Sequence, residues 1–504
     1  MSKPKVLQRV SFMLATVLLL TGCASTSAPI ESASAATGKT ARFYNQTVKW
    51  ANCGTNLTCA SVMVPVNWSR PTKSTMKLAV VSYKATGANP LGSILFNPGG
   101  PGASGYDYVH DSATVLGTAQ LRSRYNLVGW DPRGVGRSAP VKCFDAKRTD
   151  ELLYGDTGYP VGSAADVSAS KKSFAKFVAA CQRNTGYKMR YVDTVSTARD
   201  LDVLRAVVRD SKLNYLGYSY GTLIGATYAQ LFPTKVGRLV LDGAIDPSVP
   251  DDQQSVTQLA GFDLALNNYL KNCIGSSDCP FKGTVEQALT RIKSFMLNLE
   301  THPLQTSDGR ELTVWGANTG MIMPLYSDSY WPYLSQAFTE AFGGDGTTFL
   351  ELADAYNDRT ADGKYTSNLM EANLAISCLD SRSSSKYSDM IAQNKRLLAA
   401  SPTLGRYWAF GALACDSWPY PVARHPKSYA AKGAAPIMVV GTTGDPATPY
   451  EQAVSLATKI LSSGFLVTFN GEGHTAYGRS NSCIDNTVDD FFIAGKIPAA
   501  DPNC

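Results

Sequence analysis

The sequence predicts an α/β protein whose mainly parallel sheet, flanked by helices, is interrupted by a large helical insertion. Three observations lead there. Short β-branched runs alternate with helical stretches as far as residue 245, as in proteins built on a mainly parallel sheet. Between residues 246 and 430 the alternation stops, and from 431 to the end it resumes with two strand-like runs that need a sheet to join. Two domains in series would leave that C-terminal part with those two strands alone, so insertion is the simpler arrangement. At 504 residues, 44% hydrophobic and 17% charged, the chain is long enough for a large core and two folded units.

The first strand-like runs are "SVMVPVNW" from Ser61, "MKLAVVSYKA" from Met76, "GSILFNPGG" from Gly92 and "YNLVGWDPRG" from Tyr125. A helix follows over Thr194–Asp210, with Leu201, Leu204, Val207 and Val208 on one face. Next come the short run "KLNY", the segment "LGYSYG" (Leu216–Gly221), a helix beginning "TLIGATYAQLF", and the strand "GRLVLDGAI" ending at Ile245. The insertion, about 180 residues and the size of an ordinary domain, reads as helices and loops. Beyond it stand the strand "APIMVVGTTGD" (Ala435–Asp445), a helix over Tyr450–Leu461, the strand "GFLVTFNGEGH" (Gly464–His474) and a last helix near Cys483–Ala494. The expected divisions are therefore 41–245 and 431–504 for the α/β unit and 246–430 for the insertion.

The N-terminus is a separate matter. Lys3, Lys5 and Arg9 precede the apolar run "VSFMLATVLLL", too short to span a bilayer comfortably, so residues 1–22 read as an export signal. Its ending, Leu20-Thr-Gly-Cys23, resembles the lipobox of bacterial lipoproteins, whose cysteine is lipidated and becomes residue one; an ordinary signal peptide is the alternative. Residues 23–40, small and polar after the cysteine, would tether the protein to the outer face of the cell membrane, with a secreted fraction. Removing the three basic residues of the signal lowers the net charge from +6 to +3, which argues against a nucleic-acid partner. The other ten cysteines form an even set, as in an exported disulfide-bonded chain. Local pairing gives 53–59, 143–181, 273–279, 378–415 and 483–504. No CxxC pair occurs and the four histidines do not cluster with cysteines, so neither a metal nor another cofactor is expected.

Gly217-Tyr-Ser219-Tyr-Gly221 fits a nucleophile elbow, in which a sharp strand-to-helix turn presents a serine Oγ. A serine hydroxyl needs a base and a group that orients the base. His474, on a glycine-flanked loop directly after a strand, is placed where open α/β sheets gather their sites; His110, His302 and His425 read as ordinary surface or core residues. Asp445 also stands at a strand end, although a turn aspartate capping the next helix is its plainer reading. The order Ser219, Asp445, His474 is that of α/β-hydrolases. Backbone donors for an oxyanion come from the "FNPGGPGASG" loop, through Gly100, and from Tyr220, the residue after the nucleophile. A phosphate-binding loop would end in Gly-Lys-Ser/Thr, which this one lacks.

Taken together, "NPGGPGASG", "WDPRGVGRS", "TARDLDVLR", "GYSYGT", "GDPATP" and "GEGH" resemble the signature segments of the exported tripeptidyl aminopeptidases of actinobacteria, in the prolyl-iminopeptidase branch of the α/β-hydrolases. They run in the same order and cover the chain from about residue 40 onward. The resemblance implies an α/β-hydrolase fold with a helical lid, Ser219 with Asp445 and His474 as the catalytic triad, Gly100 in the oxyanion loop, and release of short peptides, commonly tripeptides, from free N-termini. Ala103 stands where glycine is more usual. An aminopeptidase must also receive an ammonium group. Asp380, in "AISCLDSR", is the candidate carboxylate; the pair Asp251 and Asp252 is an alternative, as is a purely structural aspartate. An esterase or lipase on the same triad, and a binding lipoprotein without chemistry, are the competing functions.

Overall fold

A computed structural model describes residues 38–504; residues 1–37, which hold the expected export signal, Cys23 and most of the tether, lie outside the described residues. The main sheet is built from β1 (Ala51–Gly54), β2 (Leu57–Pro65), β3 (Thr75–Tyr83), β4 (Gly92–Asn97), β5 (Tyr125–Trp130), β6 (Leu213–Tyr218) and β7 (Val236–Asp242). A small ribbon of β8 (Leu304–Gln305) and β9 (Glu311–Leu312) lies within the insertion, and β10 (Ile437–Gly444) and β11 (Gly464–Glu472) complete the main sheet. Its order is β1-β2-β3-β5-β4-β6-β7-β10-β11. β1 to β3 pair antiparallel and β3 pairs antiparallel with β5; every pairing beyond that is parallel. The C-terminal strands thus join the far edge of a sheet begun before the insertion.

Both faces of the sheet are covered, and alternation along each strand sorts its side chains. In β6, Leu213 and Tyr215 enter one core while Leu216 and Tyr218 enter the other; in β10, Ile437 and Val439 part in the same way from Met438 and Val440. The first core is closed by the helix Thr194–Val207, through Leu201 and Leu204, and by the helix Tyr220–Leu231. The second is closed by the helices Gly105–Ser112 and Ser482–Ala494, through Val109, Ile484, Val488 and Phe491. The helix predicted to reach Asp210 stops at Val207, because Arg209 takes a left-handed conformation (φ 67°) and turns the chain into β6.

Between β7 and β10 the chain forms helices that include Asp251–Ile274, Val285–Leu299, Val314–Ile322, Trp331–Phe342, Thr347–Tyr356, Leu369–Asp380 and Tyr387–Ala400. Most of them bury one another around Phe262, Ile292, Met321, Phe338 and Phe349, a core separate from both faces of the sheet. Two departures from the sequence reading stand out. Tyr154, at the end of the helix Ala146–Leu153, packs in that separate core, and Arg359 of the insertion pairs with Asp150, so part of the expected first α/β segment supports the insertion. Conversely, Ala372, Ala375, Ile376 and Leu379 of the Leu369–Asp380 helix pack into the main core. The expected strand from Ser61 begins earlier, at Leu57, and forms a hairpin with β1 across Asn56 (φ 63°).

All ten cysteines after Cys23 pair between neighbours in sequence, as expected from local pairing. Two of the signature segments meet in the interior. Arg133 of "WDPRG" is fully buried; its Nε and Nη2 donate to the two oxygens of Asp200 in "TARDLD" at 2.7 and 2.6 Å, and its other N–H groups reach the carbonyls of Pro65, Val66 and Tyr191. Asp200 also accepts the Trp68 indole N–H at 3.0 Å. With every group partnered, the pair ties β2, the loop after β5 and the helix Thr194–Val207 together; removing one member would strand a buried charge, a loss of about 3 to 5 kcal/mol.

The helix Gly105–Ser112, which follows the glycine-rich loop, lies directly on β5. A Cβ at Gly129 would sit 2.1 Å from the carbonyl oxygen of Gly105. Gly129→Ala should therefore lower stability by about 1 to 3 kcal/mol, since only backbone movement relieves the overlap. Urea unfolding followed by circular dichroism measures this, and an unchanged midpoint would contradict the packing described.

Candidate active site

Four loops converge at the C-terminal ends of the parallel strands: those after β4, β6, β10 and β11. The turn after β6 is the most constrained. Ser219 adopts φ 55° and ψ −126°, a region that side chains avoid, and is held there from both sides. Its N–H donates to the carbonyl of Asp242 at 2.9 Å, and its carbonyl accepts the Thr222 N–H at 2.8 Å and the Thr222 hydroxyl at 2.6 Å. The turn needs glycine at 221, where a Cβ would lie 2.8 Å from the Asn97 carbonyl oxygen. Ser219 itself is half-buried, and among the described residues its hydroxyl bonds no protein group.

His474 and Asp445 meet as the sequence predicts. The His474 Nδ1 lies 2.9 Å from both carboxylate oxygens of Asp445. Asp445 also accepts the N–H groups of Ala447 (2.9 Å), Thr448 (2.8 Å) and Thr475 (3.3 Å), and the Thr448 hydroxyl at 3.0 Å. Its two sequence readings are thus both realised, since the carboxylate that caps the following turn is the one that orients the imidazole. That fully hydrogen-bonded carboxylate fixes the proton on Nδ1, leaving Nε2 as the basic nitrogen. Nε2 is buried and has no partner among the described residues. The imidazole Cε1 lies 3.1 Å from the Cβ position of Gly243, the residue after the Asp242 that holds the Ser219 amide.

Asp242 joins the two loops. Its carbonyl anchors the serine turn, while its buried carboxylate accepts the N–H groups of Ala476 (3.0 and 3.1 Å) and Tyr477 (2.8 Å), two and three residues after His474. Burial pushes this carboxyl up to about 6, against the pull of those N–H groups. Nothing in the sequence marked Asp242 beyond an acid closing an apolar strand before glycine. Thr448 was likewise not anticipated, although a threonine three residues after a turn aspartate is a recognisable capping pattern.

The glycine-rich loop stands against the serine turn: a Cβ at Gly99 would fall 2.7 Å from the Tyr218 carbonyl oxygen and 2.9 Å from the Ser219 Cβ. Neither the Gly100 nor the Tyr220 amide donates to a protein acceptor among the described residues. Asn97 fixes the loop's start by accepting the Gly99 N–H at 3.0 Å.

Asp380 lies elsewhere. Its oxygens accept the Thr194 N–H at 2.9 Å and the Thr194 hydroxyl at 2.5 Å, with His425 Nε2 3.7 Å away, and burial pushes its carboxyl up to about 8. Asp251 accepts the Arg382 N–H at 3.1 Å and Asp252 pairs with Arg396 at 2.7 Å. His110 and His302 are bonded to their sequence neighbours, Asp111 and Thr301. No group of three or more potential metal ligands occurs among the described residues.

The chain resembles known proteins over most of its length. The family model described as TAP-like protein matches residues 401–504. Serine protease Hip1 of Mycobacterium tuberculosis is 34% identical over 479 residues, 91% of each chain. Carboxylesterase B of the same organism is 36% identical over 88% of this chain and 86% of its own. Tripeptidyl aminopeptidase of Streptomyces lividans is 29% identical over 92% of this chain and 88% of its own.

The native protein holds a proton on Asp242 that the unfolded chain releases between pH 3.8 and about 6, so this group works increasingly against stability as pH rises through that window. Asp242→Asn should remove the effect. Thermal unfolding from pH 4 to 7 should show the native protein losing stability relative to the variant up to about pH 6 and not beyond; parallel curves would exclude it.

Proposed function

This chain belongs to the tripeptidyl-aminopeptidase-like family of α/β-hydrolases, and on that footing we propose that it is a serine peptidase releasing short peptides, tripeptides among them, from free N-termini. The observation that carries the reading is the pairing of His474 with the fully hydrogen-bonded Asp445 beside the strained turn of Ser219. In this proposal Nε2 of His474 removes the Ser219 proton as Oγ attacks the scissile carbonyl. The Gly100 and Tyr220 amides, which have no other acceptor among the described residues, receive the oxyanion. His474 then protonates the leaving amine, and water repeats the cycle on the acyl-enzyme. Asp445 holds the tautomer and stabilises the imidazolium throughout. The helices over 246–430 act as the lid of the cleft.

The preference for peptides rests on the relatives named serine protease and tripeptidyl aminopeptidase. An esterase reading is favoured by one relative, carboxylesterase B, and uses the same residues. Ser219→Ala should lower turnover of a tripeptide anilide by about 10⁴-fold or more with the fold kept. Acetylating the substrate's amine should abolish cleavage by the native protein. Indifference to acetylation, with faster cleavage of a short-chain ester, would turn the assignment to an esterase.

The same proposal places the protein outside the cell, anchored by lipid on Cys23. Mass spectrometry of the mature N-terminus should find a diacylglyceryl-modified cysteine as residue one; a free Cys23, or cleavage elsewhere, would contradict it.

A further inference from the structure

One helix of the insertion touches both halves of the proposed oxyanion hole. The helix Leu369–Asp380 buries Ala372, Ala375, Ile376 and Leu379 in the main core, whereas the other long insertion helices pack chiefly around one another. At its N-terminal end it lies against the glycine-rich loop. A Cβ at Gly102 (φ 103°) would fall 2.6 Å from the Leu369 carbonyl oxygen and 3.0 Å from the Asn373 nitrogen, and Asn373 Nδ2 donates to the Pro101 carbonyl at 3.1 Å. The loop that presents the Gly100 amide is thus pressed between the serine turn and this helix.

At the C-terminal end the connection runs to the other donor. Asp380 accepts the Thr194 N–H and hydroxyl, and the Thr194 oxygen is bonded in turn to the hydroxyl of Tyr220. Thr194 opens the helix Thr194–Val207, whose first turn has unpaired N–H groups; Asp193 caps one, at Ser196, and Asp380 caps another from outside the helix. Tyr220 directly follows the strained Ser219, so fixing its ring at the far hydroxyl restrains the first peptide of that helix. The disulfide Cys378–Cys415 holds the same end of the Leu369–Asp380 helix to a neighbouring segment of the insertion.

We propose that the Leu369–Asp380 helix is a brace that sets the oxyanion hole, with Asn373 positioning Gly100 and the Asp380–Thr194 pair positioning Tyr220. This rests on the reading of Ser219 as nucleophile with those two amides as donors. Asn373, Thr194 and Asp380 make no hydrogen bond to Ser219, Asp445 or His474 among the described residues; they act as positioning residues through the backbone of others. Their contribution should therefore appear in the stabilisation of tetrahedral species and leave ground-state binding of the peptide alone.

The test compares Thr194→Val, Thr194→Ser, Tyr220→Phe and Asn373→Ala in the full chain, using a tripeptide anilide, a tripeptidyl boronic acid as tetrahedral mimic, and the free tripeptide as ground-state ligand. Thr194→Val, Tyr220→Phe and Asn373→Ala should each lower kcat about ten-fold, less than outright loss of an oxyanion donor, with KM within about two-fold. The boronate inhibition constant should rise in step with the loss of kcat while that of the free tripeptide stays put, and Thr194→Ser, which keeps the hydroxyl, should retain native values. Unchanged kcat, or lower thermal stability without a change in boronate relative to tripeptide affinity, would overturn the brace. Should Thr194→Val fail to fold, Tyr220→Phe, which loses a single oxygen, decides. Ser219→Ala separates the two levels: if it retains turnover, the underlying reading falls and the brace with it. If it is inactive while the positioning variants match the native protein, the brace alone is wrong.

Discussion

The backbone of Ser219 is the constraint around which the rest is arranged. Holding one residue with a side chain at φ 55° costs about 1 to 3 kcal/mol, and the surroundings must be rigid enough to prevent relaxation. Three neighbours supply that rigidity: β7 through the Asp242 carbonyl, the following helix through Thr222, and the glycine-rich loop pressed against the Ser219 Cβ. None of these is optional once the turn is made. The glycines at 99 and 221 are what remains when Cβ atoms are removed from places where backbone segments come within 3 Å of where they would stand.

Conserving the turn's position explains why the sheet is so fully enclosed. The strands bearing Ser219, Asp242 and Asp445 lie in the middle of the parallel portion, with apolar side chains on both faces. Such strands have little freedom to shift register, because a slip of one residue would exchange the two cores. The buried Arg133–Asp200 pair acts at longer range, fixing the edge where antiparallel pairing gives way to parallel. All five guanidinium N–H groups have acceptors and both Asp200 oxygens have donors, the condition under which a buried ion pair is tolerated.

The sequence carried the order of strands and helices because burial on two faces leaves continuous apolar runs, and it carried the His474–Asp445 pairing because strand ends are marked by glycine and polar residues. The local disulfides were legible for a similar reason, since neighbours in sequence are close in space. Less of the support was visible. Asp242 is one aspartate after "VL", and its contacts to the Ser219 and Ala476 amides join segments more than two hundred residues apart. Asp380 read as a candidate for binding an ammonium group because an acid in a plausible segment has no sign of its surroundings; its bonds to the Thr194 N–H and hydroxyl are visible only in the folded chain. Packing across the division between sheet and insertion was hidden on the same account. Tyr154 and the Leu369–Asp380 helix each pack across the boundary that composition suggested.

The insertion is fastened to the loops around Ser219 and His474 at two places. On one side the carbonyl of Tyr326 accepts the His474 N–H at 2.8 Å, and its ring stands edge-on to the imidazole, 5.5 Å between centres. On the other, Asn373 and Asp380 reach the glycine-rich loop and Thr194. A segment tied at two separate places cannot swing about either one alone. Displacing it would pull on the His474 loop and the glycine-rich loop together, so the position of the insertion and the alignment of those loops share one mechanical degree of freedom.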